Sequence, residues 1–328
     1  MSYRIFITGS GIADEAQQLL KDQNCTFEIG DPRDTPEELA MKLKSFNPDG
    51  LIVRQGKITD KVQDASENLK AICKHGVGTD NIDIKAATKR GIPVMRTPRA
   101  NFESVAEHTF ALILSLIRKI PTEDKRIRNG IFDKKSFDGQ ELLGKTLGLI
   151  GFGLIGRRLT ELVAPFKMKV IVYHRACTDE ALPQYISKVK STEEVFSQAD
   201  IVSLHCPLSS QTKHLINKQT IDQMKESVYI INTARGGIIN EKDLLQALKE
   251  KRIRGAALDV FEAEPPAVDN PLLKMDNVIF TPHIGGSSDN SLKNMGIEAV
   301  TNVLSLLKNE SIDMESLLNK EVLEKHTQ

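Results

Sequence analysis

The chain has 328 residues, of which 40% are hydrophobic and 27% are charged, and its 44 basic residues balance its 44 acidic ones. This balance, without a basic block interleaved with aromatic residues, argues against nucleic-acid binding, and no apolar stretch is long enough to cross a membrane. The length exceeds that of one hydrophobic core and predicts two domains. Because Cys25, Cys73, Cys177 and Cys206 lie far apart without a Cys-x-x-Cys pair, we expect free thiols, a cytoplasmic location and no metal site.

The first hundred residues alternate short apolar segments with helical patterns, which predicts a doubly wound parallel sheet. The chain begins with a strand-like segment rather than with a signal peptide. The clearest helix start is a capping box, in which Thr35 caps, Pro36 takes the first helical position and Glu38 follows. Gly9-Ser10-Gly11 lacks a third glycine and is interpreted as a plain turn. The predicted strands are residues 5–7, 25–29, 51–53, 69–73 and 92–95, and the predicted helices are residues 13–20, a helix from residue 36, and residues 82–89.

A second alternation follows a long helix that is predicted over residues 104–120 and ends at Pro121. Its six predicted strands match a complete dinucleotide-binding sheet. They are residues 147–150, 170–173, 201–204, 228–231, 256–258 and 278–280, followed by a helix over 291–307 and a polar tail. We therefore expect a Rossmann dinucleotide-binding domain (101–285) inserted into a discontinuous, flavodoxin-like substrate-binding domain (1–100 and 286–328). The cleft between the two domains is the default site.

The most informative motif is a Gly-x-Gly-x-x-Gly turn between a predicted strand and a predicted helix. Gly151 permits the tight turn, Gly153 lets the backbone approach a pyrophosphate, and Gly156 lets the helix pack against the strand. The free N–H groups of the first helical turn, which starts at Leu154 and Ile155, would then face the phosphates. A glycine motif alone is weak evidence, but here its flanks fit a dinucleotide site.

Three polar clusters follow predicted strands at residues 232–237, 259–265 and 281–286. Open α/β sheets bind ligands at these carboxyl ends. An arginine fork such as that of Arg235 can hold a carboxylate, and His283 can donate a proton while a neighbouring carboxylate favours the imidazolium form. Together these groups suit the reduction of a 2-keto acid by a nicotinamide. Each alone is also consistent with a structural role: a hydrogen-bonded His283, a surface salt bridge of Arg235, or a turn at Glu264-Pro265.

These clusters, with residues 76–83, 104–108 and 205–208, resemble the D-isomer-specific 2-hydroxyacid dehydrogenase family nearly from end to end. The resemblance implies that Arg235 anchors the substrate and that His283 is the acid/base. It also implies that Glu264, rather than Glu262, is the partner of His283. The implied cofactor contacts include Asp259, which would contact the nicotinamide carboxamide, and His205, Cys206, Pro207, Thr212, Thr233, Ala234, Arg235, His283 and Gly285. The N–H groups around Val77 and Gly78 would hold the substrate carboxylate, and the helix from Ser104 would lie in a homodimer interface.

Within this family the phosphoglycerate dehydrogenases are the most similar group. Arg54 and Lys74 match basic residues near their substrate phosphate, and Asn101 fits the family's hinge. Arg96 stands where asparagine is more common, and we expect no C-terminal regulatory domain after the last helix. A hydroxypyruvate or glyoxylate reductase is the alternative enzyme. A dinucleotide-sensing binding protein, such as the corepressors that share this fold, is the alternative from another class.

The choice of cofactor rests on the end of the second strand of the dinucleotide-binding domain. NAD-dependent members usually carry an aspartate there, which binds the ribose 2′-hydroxyl. This chain has His174 in that position and Arg175 beside it. Loss of the acid and gain of an arginine favour NADP over NAD. The alternative is that Arg175 stacks on the adenine or points into solvent.

Overall fold

The computed structural model describes residues 2–175 and 182–324, and Cys177 lies outside these ranges. The chain forms two compact units, the first made of Met1–Asn101 with Gly286–Gln328 and the second of Phe102–Gly285. Each unit has its own parallel β-sheet, which confirms the predicted pair of doubly wound α/β folds. The first unit is discontinuous because the second is inserted between residues 101 and 286.

Strands and helices alternate along most of the chain. The strands are β1 (Arg4–Thr8), β2 (Thr26–Ile29), β3 (Gly50–Val53), β4 (Ala71–Lys74), β5 (Val94–Met95), β6 (Thr146–Ile150), β7 (Lys169–Tyr173), β8 (Ile186–Lys188), β9 (Ile201–Leu204), β10 (Tyr229–Asn232), β11 (Gly255–Leu258) and β12 (Val278–Phe280). The helices are α1 (Asp14–Asp22), α2 (Pro36–Phe46), α3 (Asp60–Asp64), α4 (Ile84–Lys89), α5 (Phe102–Ile117), α6 (Ile120–Arg128), α7 (Leu154–Val163), α8 (Thr192–Gln198), α9 (Lys218–Ile221), α10 (Glu241–Lys249), α11 (Asp289–Lys308) and α12 (Glu321–Glu324).

The sheet of the first unit has the order β2-β1-β3-β4-β5, which is the flavodoxin-like order. Helices cover both of its faces, so its central strands are almost wholly apolar. In β1, Ile5 and Ile7 join the core with α1 and α11, whereas Phe6 faces the core with α2. The capping box at the start of α2 is confirmed, because the N–H of Glu38 donates to Thr35 Oγ1 at 3.2 Å.

The segment after α11 is more ordered than a polar tail would be. Leu317 is 3% exposed and forms an antiparallel bridge with Met95. The buried Asn319 side chain donates to the Ile92 carbonyl at 2.9 Å and accepts from the Val94 N–H at 2.8 Å. These hydrogen bonds satisfy backbone groups at the outer edge of β5, which an edge strand would otherwise leave unpaired.

The sheet of the second unit has the order β12-β11-β10-β9-β6-β7-β8. It contains the six predicted strands and one strand that the sequence analysis missed. The missed strand is the third strand of the Rossmann order, which runs β8-β7-β6-β9-β10-β11, and β12 extends the sheet. That strand, β8, is only three residues long, and only Ile186 in it is buried. It lies beside β7, with Lys188 paired to Val172. A single buried residue leaves no alternating pattern for sequence reasoning to detect.

The long helix predicted over residues 104–120 was wrong at its end. Helix α5 stops at Ile117, and a separate helix, α6, begins at Ile120 with Pro121 in its first turn. Proline is well tolerated in a first turn because the N–H it lacks would have no helical partner there. Lys119 makes the break, with a left-handed backbone (φ 56°). Pro121 therefore starts a helix instead of ending one.

Candidate functional site

The glycine turn between β6 and α7 has the geometry of a phosphate cradle. Gly151 has φ +101°, and a Cβ there would lie 2.4 Å from the carbonyl oxygen of His205. A Cβ on Gly156 would lie 2.9 Å from the carbonyl oxygen of Gly151, so this glycine lets α7 approach the turn. Gly153 precedes α7 and has open space where its Cβ would be. The first-turn N–H groups of Leu154 and Ile155 are thus accessible, and these residues fit a dinucleotide pyrophosphate.

His174 lies directly after β7, in the position predicted to choose the cofactor. The N–H of Phe152, in the glycine turn, donates to Nδ1 of His174 at 3.3 Å. Burial, together with the positive charges of Arg157 and Lys188, lowers the pKa of His174. Arg175 is exposed and donates to the side-chain oxygen of Gln211. The position in which the family usually carries an aspartate is therefore occupied by the neutral imidazole of His174, which lies near positively charged side chains.

The loop after β9 carries four of the predicted cofactor residues and is folded by its own hydrogen bonds. Thr212 Oγ1 donates to the Pro207 carbonyl at 2.6 Å. His205 Nε2 lies 2.9 Å from Ser203 Oγ, and burial lowers the pKa of His205 to about 4. Burial raises the pKa of Cys206 to about 11, so this residue is a neutral thiol. The loop begins against Gly151, at the carboxyl end of the strand next to β6.

The loop after β10 is held by Asn232, whose importance the sequence analysis missed. Its fully buried amide donates to the Arg235 carbonyl at 2.9 Å and accepts from the Ala234 N–H at 3.1 Å. Thr233 Oγ1 lies 2.8 Å from Thr109 Oγ1 on α5. An asparagine at a strand end followed by a short polar turn is a usable signal for this geometry. The Arg235 side chain donates to the Ala234 carbonyl at 2.6 Å.

Asp259, which follows β11, organises the loop that carries His283. Its carboxylate accepts hydrogen bonds from the N–H groups of Ile284 and Gly285, both at 2.9 Å, and from Thr281 Oγ1 at 2.6 Å. Burial alone would raise the pKa of Asp259, but hydrogen bonds, beginning with that of His108, hold it below the ordinary value. Asp259 is 1% exposed, so its carboxylate acts on this loop as a fixed charge.

His283 and Glu264 form a direct pair, with Nδ1 of the histidine 2.7 Å from Oε2 of the glutamate. His283 has a left-handed backbone (φ 55°), a conformation that costs a non-glycine residue energy and tends to occur at functional sites. Burial opposes ionisation of Glu264, but the His283 hydrogen bond and the nearby Arg235 charge hold the pKa of this carboxyl below its ordinary value. A permanent carboxylate is thus fixed behind the histidine.

A second histidine–glutamate pair lies in the same unit. His214 Nε2 is 2.5 Å from Glu262 Oε1, and the Glu262 N–H donates to Glu241 at 2.7 Å. The two glutamates of the loop after β11 therefore serve different histidines. Gly236 brings this loop close to Arg235, because a Cβ on Gly236 would lie 1.9 Å from the carbonyl carbon of Phe261.

In the first unit, Arg54 follows β3 and Lys74 ends β4, so both lie at the carboxyl edge of the sheet. Lys74 Nζ donates to the Arg54 carbonyl at 2.9 Å and to Asn81 at 3.1 Å. Arg54 donates to the Ser10 carbonyl at 3.3 Å and to that of Gly11. Burial, helped by these two cations, lowers the pKa of the neighbouring His75 to about 4. This edge of the first sheet thus carries the two predicted cations. It also carries a neutral histidine, His75, which the sequence analysis did not single out.

The turn after β4 presents backbone donors. Gly76 has φ +131° and is tied to Thr97 by two hydrogen bonds, of 2.8 Å and 3.0 Å. Within the described parts of the chain, the N–H groups of Val77 and Gly78 donate to no protein acceptor. Two adjacent free N–H groups can bind a carboxylate.

Asn101 lies at the point where the chain leaves the first unit. Its side chain packs against Gly286, where a Cβ would lie 2.8 Å from the Asn101 amide nitrogen. Its amide oxygen is buried without a hydrogen-bond partner among the described residues.

In the described chain, no helix has both the length and the apolar character needed to cross a membrane. No three His, Cys, Asp or Glu residues of the described chain are grouped as metal ligands would be.

Comparison with known proteins gives a consistent result. A family model described as D-isomer specific 2-hydroxyacid dehydrogenase, NAD binding domain, matches residues 110–285. A D-3-phosphoglycerate dehydrogenase of Methanocaldococcus jannaschii is 44% identical over 283 residues, which are 84% of this chain and 52% of that protein. A hydroxypyruvate reductase of Thermotoga maritima is 39% identical over 309 residues, which are 93% of this chain and 98% of that protein. The chain therefore spans about half of the first relative and nearly all of the second.

A solved structure gives the same result for the fold. A crystal structure of a protein from Thermus thermophilus matches with a TM-score of 0.87 at 32% identity, covering 94% of this chain and 98% of that chain.

Proposed function

Because this chain belongs to the D-isomer-specific 2-hydroxyacid dehydrogenase family, we propose that it is an NAD(P)-dependent oxidoreductase that interconverts a D-2-hydroxy acid and its 2-keto acid. The observation that carries this proposal is the 2.7 Å pair of His283 and Glu264, in the same unit as Arg235 and the glycine turn. A fixed carboxylate behind a histidine is the arrangement that acid–base catalysis needs.

Each residue has a defined task in this proposal. A nicotinamide cofactor, when bound, would supply the hydride chemistry. The first-turn N–H groups of α7 hold the pyrophosphate. Because Glu264 occupies Nδ1 of His283, the proton for the carbonyl oxygen comes from Nε2. Arg235 would bind a carboxylate of the substrate as a fork. In the first unit, the N–H groups of Val77 and Gly78 are donors that suit a carboxylate.

Asp259 has a positioning task, since its carboxylate holds the His283 loop through two N–H groups. The sequence-based contact to the nicotinamide carboxamide stays a prediction.

For the substrate we propose 3-phosphoglycerate and 3-phosphohydroxypyruvate. The supporting observation is the pair of cations, Arg54 and Lys74, at the carboxyl edge of the first sheet. Hydroxypyruvate or glyoxylate is the second candidate, because both cations already donate to backbone carbonyls and can therefore have a structural role instead of binding a phosphate.

Arg54→Ala should raise KM for phosphohydroxypyruvate and leave KM for hydroxypyruvate nearly unchanged. Equal losses on both substrates would assign Arg54 a structural role.

The activity itself is tested by following NADH and NADPH oxidation with phosphohydroxypyruvate, hydroxypyruvate and glyoxylate. His283→Ala should lower kcat about 10²–10⁴-fold, as expected for lost acid–base catalysis, with little change in cofactor affinity. Cofactor binding without turnover of any 2-keto acid would favour the dinucleotide-sensing protein. Near-normal kcat in His283→Ala would remove this residue from the mechanism.

We also propose a cytoplasmic homodimer. Cys25, Cys73 and Cys206 are free thiols, as expected in a reducing compartment. In and directly after α6, the second unit exposes large apolar side chains, among them Ile127 and Phe132 at 55% and 78% exposure. A second copy would remove these side chains from water. Analytical ultracentrifugation of the protein and of Phe132→Asp tests this, since a wild-type monomer would contradict it.

A further inference from the structure

The second unit has a pocket of about 590 Å³ at the carboxyl ends of β7 and β8, on the edge of the sheet. Its described lining residues are Tyr173, His174, Arg175, Lys188, Val189 and Lys190. Three of these six are permanently cationic, a fourth is the histidine that replaces the usual aspartate, and none of the six is acidic.

Lys188 ends β8, the strand that the sequence analysis missed, and Lys190 lies two residues after it. Lys188 pairs with Val172 of β7, and the Val189 N–H donates to the Val172 carbonyl at 2.9 Å. Continuing this parallel register places Lys190 beside His174. Alternate residues of an extended segment share a face, so both lysines are presented on one side.

The histidine contributes a donor without needing a charge. Because the Phe152 N–H donates to Nδ1, the ring proton of neutral His174 resides on Nε2. The same backbone N–H belongs to the glycine turn, so this ring is tied to the segment that would cradle the pyrophosphate. An aspartate in this position would repel a phosphate, whereas an N–H donor flanked by three cations attracts one.

We propose that Lys188 and Lys190 complete, with His174 and Arg175, a subsite for the 2′-phosphate of NADP(H). This inference rests on the proposed function, because it presumes that the glycine turn binds the shared part of both dinucleotides. It makes Lys188, at the end of β8, and Lys190, just after it, determinants of cofactor choice, beyond the two residues visible in the sequence motif.

Binding, rather than turnover, is the most direct test. The affinities of the protein for NADPH, NADH, 2′,5′-ADP and 5′-AMP should be measured by calorimetry at one pH and ionic strength. We expect 2′,5′-ADP to bind at least tenfold more tightly than 5′-AMP, as charge-assisted hydrogen bonds to a phosphate predict. Lys190→Ala and Lys188→Ala should each weaken 2′,5′-ADP several-fold, and Lys190→Glu more strongly, while NADH affinity stays constant.

Lys169→Ala is the matched control, because Lys169 is also an exposed lysine but lies on β7, at the end of that strand opposite to His174. It should change neither affinity. Equal binding of 2′,5′-ADP and 5′-AMP, or equal effects of the control and of Lys188→Ala and Lys190→Ala, would overturn the subsite while leaving dinucleotide binding intact. Failure of all four ligands to bind would instead overturn the proposed function together with the subsite.

Discussion

At the scale of the residue, the pair of His283 and Glu264 is the centre of the proposed chemistry. Glutamate and histidine side chains make a strong, charge-assisted hydrogen bond at 2.7 Å. The lowered pKa of Glu264 means that its charge persists at neutral and mildly acidic pH, and is lost only when the pH falls through that lowered value. The imidazolium form of His283 therefore has an ionised partner at neutral and mildly acidic pH.

Glu264→Gln tests this partnership. The alkaline limb of the kcat/KM profile for reduction should move to lower pH, because the imidazolium loses the carboxylate that stabilises it. Glu262→Gln is a matched control from the same loop, since its carboxylate contacts His214 instead. Glu262→Gln should leave the alkaline limb at its wild-type pH. If both variants moved this limb equally, the conformation of the loop, rather than the His283–Glu264 pair, would determine the pH dependence of kcat/KM.

Arg235→Lys tests the fork. Lysine keeps the charge but cannot make two parallel hydrogen bonds to a carboxylate, so kcat/KM should fall roughly 10–100-fold. Cofactor affinity, measured by fluorescence titration, should change little. Nearly full activity of the Arg235→Lys variant would mean that Arg235 contributes only a general positive charge.

At the scale of the element, the turn from β6 into α7 depends on glycine for two separate reasons, backbone conformation and space. Gly151→Ala should lower dinucleotide affinity at least tenfold, because the new Cβ would strike the His205 carbonyl and push the turn away. Gly144→Ala is the control, since Gly144 also has a positive φ (73°) but open space around it. Gly144→Ala should destabilise the fold only by the cost of placing an alanine in the left-handed conformation, about 1–2 kcal/mol. Equal affinities in the two variants would show that close approach to β9 is unimportant.

At the scale of the whole molecule, each unit contains a neutral histidine whose pKa is lowered to about 4, His75 in the first and His205 in the second. An unfolded histidine binds its proton near pH 6.5. Between pH 6.5 and 4, protons therefore bind the unfolded chain in preference to the folded one. The stability of both units should fall over this window as the pH is lowered, by up to about 1.4 kcal/mol per pH unit for each histidine.

Urea denaturation at pH 7.5, 6.5, 5.5 and 4.5 measures this dependence. We expect a constant free energy of unfolding above pH 7 and a decline below pH 6.5. His75→Gln should flatten the part of the decline that belongs to the first unit. A free energy that stays constant down to pH 5 would contradict the assignment of both histidines.

Much of this protein followed from the sequence by itself. Alternating apolar segments and turn residues predicted two parallel sheets, because local hydrophobic periodicity and helix caps such as Thr35 act over a few residues. The glycine motif and the polar residues after each strand predicted a dinucleotide site, because parallel strands bring their carboxyl ends to one edge.

Only the tertiary structure decided which distant side chains meet. Spacing alone does not distinguish the two glutamates of one loop, and only the family resemblance singled out Glu264; in the structure Glu264 contacts His283 and Glu262 contacts His214. Lys188 reaches the edge beside His174 through a three-residue strand with no periodic signal of its own. Such pairings depend on strand register and on the direction of each side chain, which are set by packing between segments far apart in the chain and are not encoded in the spacing of any local motif.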